Sequence, residues 1–223
     1  MKRYLGTVTI GQAPRTDIIP DIMPILGENV EVVESGALDG LTKDEVAEMA
    51  PKKDDYVLVT RMQDGSSVTV AERYITARVE QKIQDHFDNG IPVVLLLCTG
   101  EFPAFKETGL LIRPQRILYQ VVRAVAENKK LAIITPSESQ IAQSKRRWGS
   151  VSNKLSIVSA SPYDDRSLFD NAINKLKECD LDVIIMDCMG YTIEMQQKVR
   201  ECVGKPVFLA RSIVARVIKE MFG

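Results

Sequence analysis

A chain of 223 residues, 45% of them hydrophobic and 26% charged, is long enough for a sizeable core and reads as an ordinary globular protein. Its net charge of −1 gives no reason to expect nucleic acid or an anionic membrane as a partner. No apolar run approaches the roughly 18–20 residues of a membrane-spanning helix, no signal-peptide h-region opens the chain, and the four cysteines form no C-x-x-C pair, which points to a reduced, cytoplasmic setting.

Leu5–Ile10 predicts the first strand, left through Gly11-Gln12-Ala13-Pro14-Arg15. A short helix over Asp17–Leu26 follows, kept irregular by Pro20 and Pro24. Val30–Glu34 is a second strand, and Thr42 with Glu45 is a capping-box pattern for a helix to about Ala50. Tyr56–Arg61 and Ser67–Val70 flank Asp64-Gly65 as a hairpin. Ala71–Asp88 has helical periodicity and carries the only histidine, His86, read as exposed and uninvolved. Val93–Leu97 is a continuous apolar run bounded by Pro92 and Gly100, the pattern of a strand buried on both faces of a parallel sheet.

Glu101–Leu111 reads as a loop or short helix, and Pro114 opens a helix through about Asn128. Leu131–Thr135 is the next buried strand, with Pro136-Ser137 and a helix to about Trp148 after it. The basic run Lys145-Arg146-Arg147-Trp148 is read as a solvated helix end. Leu155–Ser159 is a strand and Asp165–Cys179 a helix. The run from Val183 is buried again, Thr192 is a plausible N-cap for a helix to Val203, and Gly204 ends it. Val207–Ala210 and Ser212–Met221 close the chain as strand and helix.

The two apolar strands end alike, in Cys98-Thr99-Gly100 and Cys188-Met189-Gly190, ninety residues apart. The order strand, helix, strand, helix, strand with cysteine occurs twice, and Val8-Thr9-Ile10-Gly11 is set against Ile133-Ile134-Thr135-Pro136. The expected fold is α/β: two similar doubly wound lobes with mostly parallel sheets facing a shared cleft. The lobes are expected at 1–113 plus 205–223 and at 114–204, with the final strand and helix returning to the first.

In parallel sheets ligands bind beyond the carboxyl ends of the strands, where both cysteines fall. A single free cysteine at such a place reads as a small hydrophobe. Two in matched positions point to an acid/base pair: one thiolate takes an α-proton from one face of a small ligand while the opposite thiol delivers a proton to the other. Asp187 adjoins Cys188 but points to the other side of the strand end and is not taken as the base. Candidate ligand contacts are backbone amides and hydroxyls at Thr9, Gly11, Gln12, Thr99, Gly100, Thr135, Pro136, Ser137, Gly190, Tyr191 and Thr192. Arg15 offers either a bidentate carboxylate contact or only a pair with Asp17, and Tyr191 either lines the site or packs elsewhere. Cys179 and Cys202 are read as structural. The chain has no P-loop and no G-x-G-x-x-G, and no metal or cofactor is expected.

The arrangement resembles the aspartate/glutamate/hydantoin racemase superfamily, in which each lobe gives one cysteine from a strand end. Within it the chain is similar to the AroM family over essentially its full length. The segments that carry this are Thr9-Ile10-Gly11-Gln12-Ala13-Pro14-Arg15, Leu96-Leu97-Cys98-Thr99, Pro114-Gln115-Arg116-Ile117-Leu118 and Met186-Asp187-Cys188-Met189-Gly190. The resemblance implies a cofactor-independent racemase, cis–trans isomerase or decarboxylase acting on a small carboxylate or hydantoin, and a homodimer. A non-catalytic small-molecule-binding regulatory protein is the alternative from another class. Amino-acid racemases of the superfamily often read Cys-Asn-Thr and Cys-Thr-Glu at the two sites. The departure here speaks against aspartate or glutamate as the substrate.

Overall fold

Short runs of β-branched and aliphatic residues, too brief for helices and apolar on both faces, become the inner strands of two parallel sheets. The computed structural model describes residues 2–223. The chain divides into two units: one runs to Pro114 and includes Ala215–Gly223, the other is Gln115–Val214.

The first unit holds β1 (Arg3–Thr9), α1 (Ile19–Leu26), β2 (Val30–Gly36), α2 (Lys43–Ala47), β3 (Val57–Arg61), β4 (Ser67–Ala71), α3 (Glu72–Asp88), β5 (Val93–Leu96) and β6 (Leu110–Ile112). Its main sheet has the order β2-β1-β5-β6, parallel throughout, while β3 and β4 pair separately as an antiparallel hairpin. The capping box at Thr42 forms, with Glu45 N–H on the Thr42 hydroxyl and the Glu45 carboxylate accepting from Thr42 N–H. Val8, Val94 and Leu96 from the sheet, Leu58 from the hairpin and Ile75, Val79 and Ile83 from α3 make one core.

The second unit begins within α4 (Pro114–Ala126) and continues through β7 (Leu131–Thr135), α5 (Ile141–Trp148), β8 (Leu155–Ser159), α6 (Arg166–Lys177), β9 (Val183–Met186), α7 (Ile193–Val203) and β10 (Val207–Leu209). The last helix, α8 (Ala210–Phe222), starts in this unit and ends in the first. The sheet order is β10-β9-β7-β8, again parallel. Ile134, Ile184, Met186 and Leu209 pack with Phe169, Ile173 and Leu176 of α6 and Val199 of α7. α7 is capped by the Thr192 hydroxyl, which accepts from Met195 N–H, and Gly204 ends it in the left-handed region at φ 69°.

Read from β2 and from β8, the two sheets have one strand order, and three details depart from expectation. Leu110 and Leu111, the end of the stretch read as a loop or short helix, form strand β6 with Ile112; Leu110 N–H donates to Pro92 O at the start of its pairing with β5. With β6 outside the first cysteine strand, that sheet has no place for Val207–Leu209. β10 therefore stays with β9, rather than returning to the first lobe with residues 205–223 as expected. The strand correspondence also shifts by one residue: Val8 pairs with Leu96 as Ile134 pairs with Met186, so Val8 matches Ile134.

Three side chains read as solvated are buried. Arg147 and Trp148 of the basic run turn inward. His86 is only 6% exposed, its ring against Gly6 of β1 and its Nε2 at 2.9 Å from Ser35 Oγ. Burial holds the His86 imidazole below its usual pKa of 6.5, against a smaller opposing hydrogen bond with the Thr7 backbone. A histidine with a depressed folded-state value stabilises the fold above pH 6.5 and loses that contribution as pH falls through the lower value. The predicted outcome is that urea stability of the wild type falls more steeply than that of His86→Gln below about pH 6.5. Parallel stability profiles of the two proteins would contradict the buried neutral imidazole.

Candidate active site

Each cysteine follows a strand whose last backbone groups are fixed by the sheet's central strand. Leu97 N–H donates to Val8 O at 2.8 Å, and Asp187 N–H donates to Ile134 O at 3.0 Å. Cys98 and Cys188 come next, past the carboxyl ends of β5 and β9. In both, the amide two residues on turns back to the sulfur. Gly100 N–H lies 3.2 Å from Cys98 Sγ, and Gly190 N–H lies 3.3 Å from Cys188 Sγ. An amide aimed at sulfur favours the thiolate over the thiol. Neither cysteine is in a disulfide and both are partly exposed, as reactive cysteines must be.

The surroundings of the two turns differ. At Gly100 the neighbours are apolar: an added Cβ would meet Leu58 Cδ2 at 2.6 Å, with Phe102 next, and Phe102 contacts Phe105. At Gly190 the nearest group is the Tyr163 hydroxyl, 2.4 Å from where a Cβ would lie, with Pro162 beside it. Tyr163 sits between β8 and α6 and was not singled out from the sequence. No motif marks it, because only the folded β8–α6 connection brings it over Gly190.

In the first unit Thr9, Gly11, Gln12, Arg15, Thr99 and Gly100 all belong to loops at or just past the carboxyl edge of the sheet, but most of their side chains are occupied. Thr9 Oγ1 accepts from Arg15 Nη1 at 2.8 Å and from Gly11 N–H at 3.2 Å. Arg15, 3% exposed, grips Asp17 through Nε and Nη2, and Arg61 reaches the same carboxylate at 3.3 Å. Burial works against ionisation of Asp17, yet the two guanidinium groups outweigh it and hold the carboxyl below its ordinary range. Of the two readings of Arg15, the pair with Asp17 is the one formed. Gln12 spans three segments: its Nε2 donates to Leu38 O and Leu41 O, and its Oε1 accepts from Gln63 N–H. It is a brace between loops rather than an open ligand group. Gly11 abuts the Arg61 carbonyl so closely that a Cβ would lie 2.3 Å from it, so glycine is required there by packing. Thr99 is buried beside the thiol.

In the second unit Thr135 is buried, with Oγ1 at 3.4 Å from Gln140 Oε1, and Pro136 is buried beside it. Ser137 caps the short 3-10 turn Glu138–Gln140, accepting from Ser139 N–H. Thr192 is the α7 N-cap. Tyr191 is a core residue: it is 0% exposed, packs on Phe169 and donates its hydroxyl to Ala160 O at 2.7 Å. Burial, with the neighbouring Cys188, Asp187 and Tyr163, pushes its phenol well above the usual range, so it stays protonated. Asp187 accepts from Arg147 Nη1 and Trp148 Nε1, both at 2.9 Å. Fully buried Arg211, from the start of α8, donates through Nε to Met189 O at 2.9 Å. It too escaped sequence reading, since it lies twenty-two residues downstream in an amphipathic helix.

Among the described residues no group of three or more His, Cys, Asp or Glu side chains could hold a metal ion, and no helix is long and apolar enough to cross a membrane.

No curated protein sequence matches this chain. Solved structures do match in fold. Allantoin racemase from Klebsiella pneumoniae superposes with a TM-score of 0.63 at 12% identity, covering 99% of this chain and 88% of that one. Picrophilus torridus aspartate racemase gives 0.65 at 10% identity, covering 98% and 94%. The maleate isomerase Iso from Pseudomonas putida S16 gives 0.65 at 11% identity, covering 100% and 93%. At such identities the likeness is one of fold: the two-lobed α/β architecture of these racemases and isomerases. The family model described as AroM protein matches residues 5–222, and the chain therefore belongs to the AroM family.

Proposed function

We propose that this protein is a cofactor-independent racemase- or isomerase-like enzyme for a small carboxylate, with Cys98 and Cys188 as its acid/base pair. The observation that carries the reading is the twofold Cys-x-Gly turn, in which a glycine amide donates to each Sγ. In the forward step one thiolate takes the proton bound to the α-carbon. The C–H bond breaks, an S–H bond forms, and the electron pair delocalises into the ligand's carboxyl group. The other thiol then gives its proton to the opposite face of the carbon and becomes the thiolate. No external electron donor or acceptor is needed.

The ligand's carboxylate requires hydrogen-bond donors. Thr99, Ser137 and the loop amides past the strand ends are the candidates; the side chains of Thr9, Gln12 and Arg15 are braces. The proposed setting is a reducing compartment, in which four free thiols persist, and the proposed assembly is a homodimer. A decarboxylation or cis–trans isomerisation using one cysteine as proton donor or nucleophile is the nearest alternative, and a binding protein without turnover is the next.

Solvent deuterium incorporation at the α-carbon separates these readings. A panel of small carboxylates and amino acids in D2O is expected to include one that the wild type exchanges. That exchange should be lost, or limited to one enantiomer, in Cys98→Ser and Cys188→Ser. No exchange across the panel, with ligands still raising the unfolding midpoint, would overturn proton transfer in favour of binding alone. A second expected outcome concerns Gly190→Ala, whose Cβ would meet Tyr163 Oη at 2.4 Å and Pro162 Cγ at 2.7 Å. Overpacking of this kind destabilises by about 1–3 kcal/mol, which urea unfolding measures, and exchange should fall with the displaced turn. A variant of unchanged stability and exchange would show that the Cys188 turn tolerates displacement of Tyr163.

A further inference from the structure

The two cysteine turns share a backbone and differ in the charged side chains behind them. At the first, the position before the thiol is Leu97, buried and apolar. At the second, the matching position is Asp187, buried against the Arg147 guanidinium and the Trp148 indole. A buried ion pair rarely improves stability over an apolar side chain of similar size. Leu97 shows that this strand end can be built without one. The pair at Asp187 is therefore better explained by what it does for its neighbour than by what it does for the fold.

Arg211 adds a second feature. Its guanidinium is completely buried and holds the Met189 carbonyl, in the middle of the Cys188 turn. The buried charged side chains of this unit are Arg147, Asp187 and Arg211, two cations and one anion. Tyr191 stays neutral, and Tyr163 brings a hydroxyl rather than a charge to the turn. The Arg166–Glu194 pair on the first turns of α6 and α7 is exposed and screened. Helix α7 starts directly after the turn, so its N-terminal amides and dipole lie on the Cys188 side. After Cys98 the chain forms no helix before Pro114; residues 101–108 are irregular. Leu58 and Phe102 border that turn, and the nearest acid in sequence is Glu101, whose amide is held by Tyr56 Oη. The other charges at the edge of this sheet are taken up locally: Arg15 and Arg61 meet Asp17, Glu34 takes the Arg15 amide, Asp39 the Ala13 and Gly36 amides, Arg78 donates to Ala37 O, and Arg113, buried past the end of β6, pairs with Glu107 and lies over Phe105.

We propose that the two thiols are unequal at rest: Cys188 carries the negative charge and Cys98 the proton, with Arg211 as the positioning residue that fixes the Cys188 turn and supplies the cation. This rests on the two-thiol reading for its use in catalysis, where it makes Cys188 the base and Cys98 the acid in the first half-reaction. The arrangement itself does not depend on turnover.

Alkylation of the native full-length protein by iodoacetamide across a pH series, with the two cysteine peptides quantified separately by mass spectrometry, tests it. Only the thiolate reacts, and the pH of half-maximal rate is independent of how accessible each sulfur is. The Cys188 inflection is expected about one pH unit or more below that of Cys98. In Arg211→Met it should rise toward the Cys98 value, while Arg211→Lys keeps it low and the Cys98 inflection stays where it was. Coincident inflections in the wild type, or a lower one at Cys98, would overturn the proposal. If Arg211→Met does not fold, the wild-type comparison remains decisive. Ordered inflections without deuterium exchange on any ligand would sink the proton-transfer function and leave the asymmetry standing.

Discussion

Buried backbone groups at the ends of parallel strands have to find partners, and that requirement places both thiols. Val8 and Ile134 are the penultimate residues of the central strands β1 and β7. Their carbonyls are buried, with no water to donate to them. Leu97 and Asp187 supply the N–H groups, one residue beyond the formal ends of β5 and β9. Once those bonds form, the direction of the next residue is set by the backbone rather than by its side chain. Cysteine then leaves the sheet at the same place in each unit, and the second amide after it turns back onto sulfur. The same need recurs one step along: Ala37 N–H meets Thr9 O, and Ala160 N–H meets Thr135 O.

Strand ends are polar for this reason, and the reason also explains how their side chains were divided. Thr9, Gln12 and Arg15 have the chemistry of ligand contacts, but the loop they occupy must close over a buried sheet edge. Gln12 makes three hydrogen bonds to two other loops, and Arg15 is almost fully buried against Thr9 and Asp17. Releasing either to bind a ligand would strand buried donors and acceptors, at about 1–3 kcal/mol for each group left without a partner. A ligand could not readily recover that loss.

What was legible in the sequence follows the same division between local and distant causes. The apolar runs at Val93 and Val183, the repeated Cys-x-Gly and the caps at Thr42 and Thr192 depend on neighbours a few residues away, and they are found where periodicity and capping rules put them. Strand β6 was not legible, because three residues carry too little pattern, and its absence sent β10 to the wrong sheet. His86, Arg147, Trp148 and Arg211 were missed for a different reason. Polar residues on an amphipathic helix read as solvated unless something across the fold receives them. Here Ser35, Asp187 and the Met189 carbonyl do so, from residues twenty-two to fifty-one positions away.

Duplication of a strand-end motif gives two equal thiols only if the packing around it is duplicated too. A proton-transfer pair has to carry one proton between its two sulfurs: with both protonated there is no base, and with both ionised there is no acid. The backbone repeat cannot break that symmetry, since the glycine amides act alike on both sulfurs. The side chains behind the strand ends can. Leu58, Leu97 and Phe102 border one turn with apolar side chains, and the buried cation beyond them, Arg113, is paired with Glu107. The Arg147–Asp187 pair, Arg211 and the start of α7 place a cationic frame behind the other. The difference lies one layer behind the reacting atoms, where substitution alters protonation without changing the shape that meets the ligand. A fold whose two halves share strand order and turn geometry can therefore hold an acid and a base made of the same residue type.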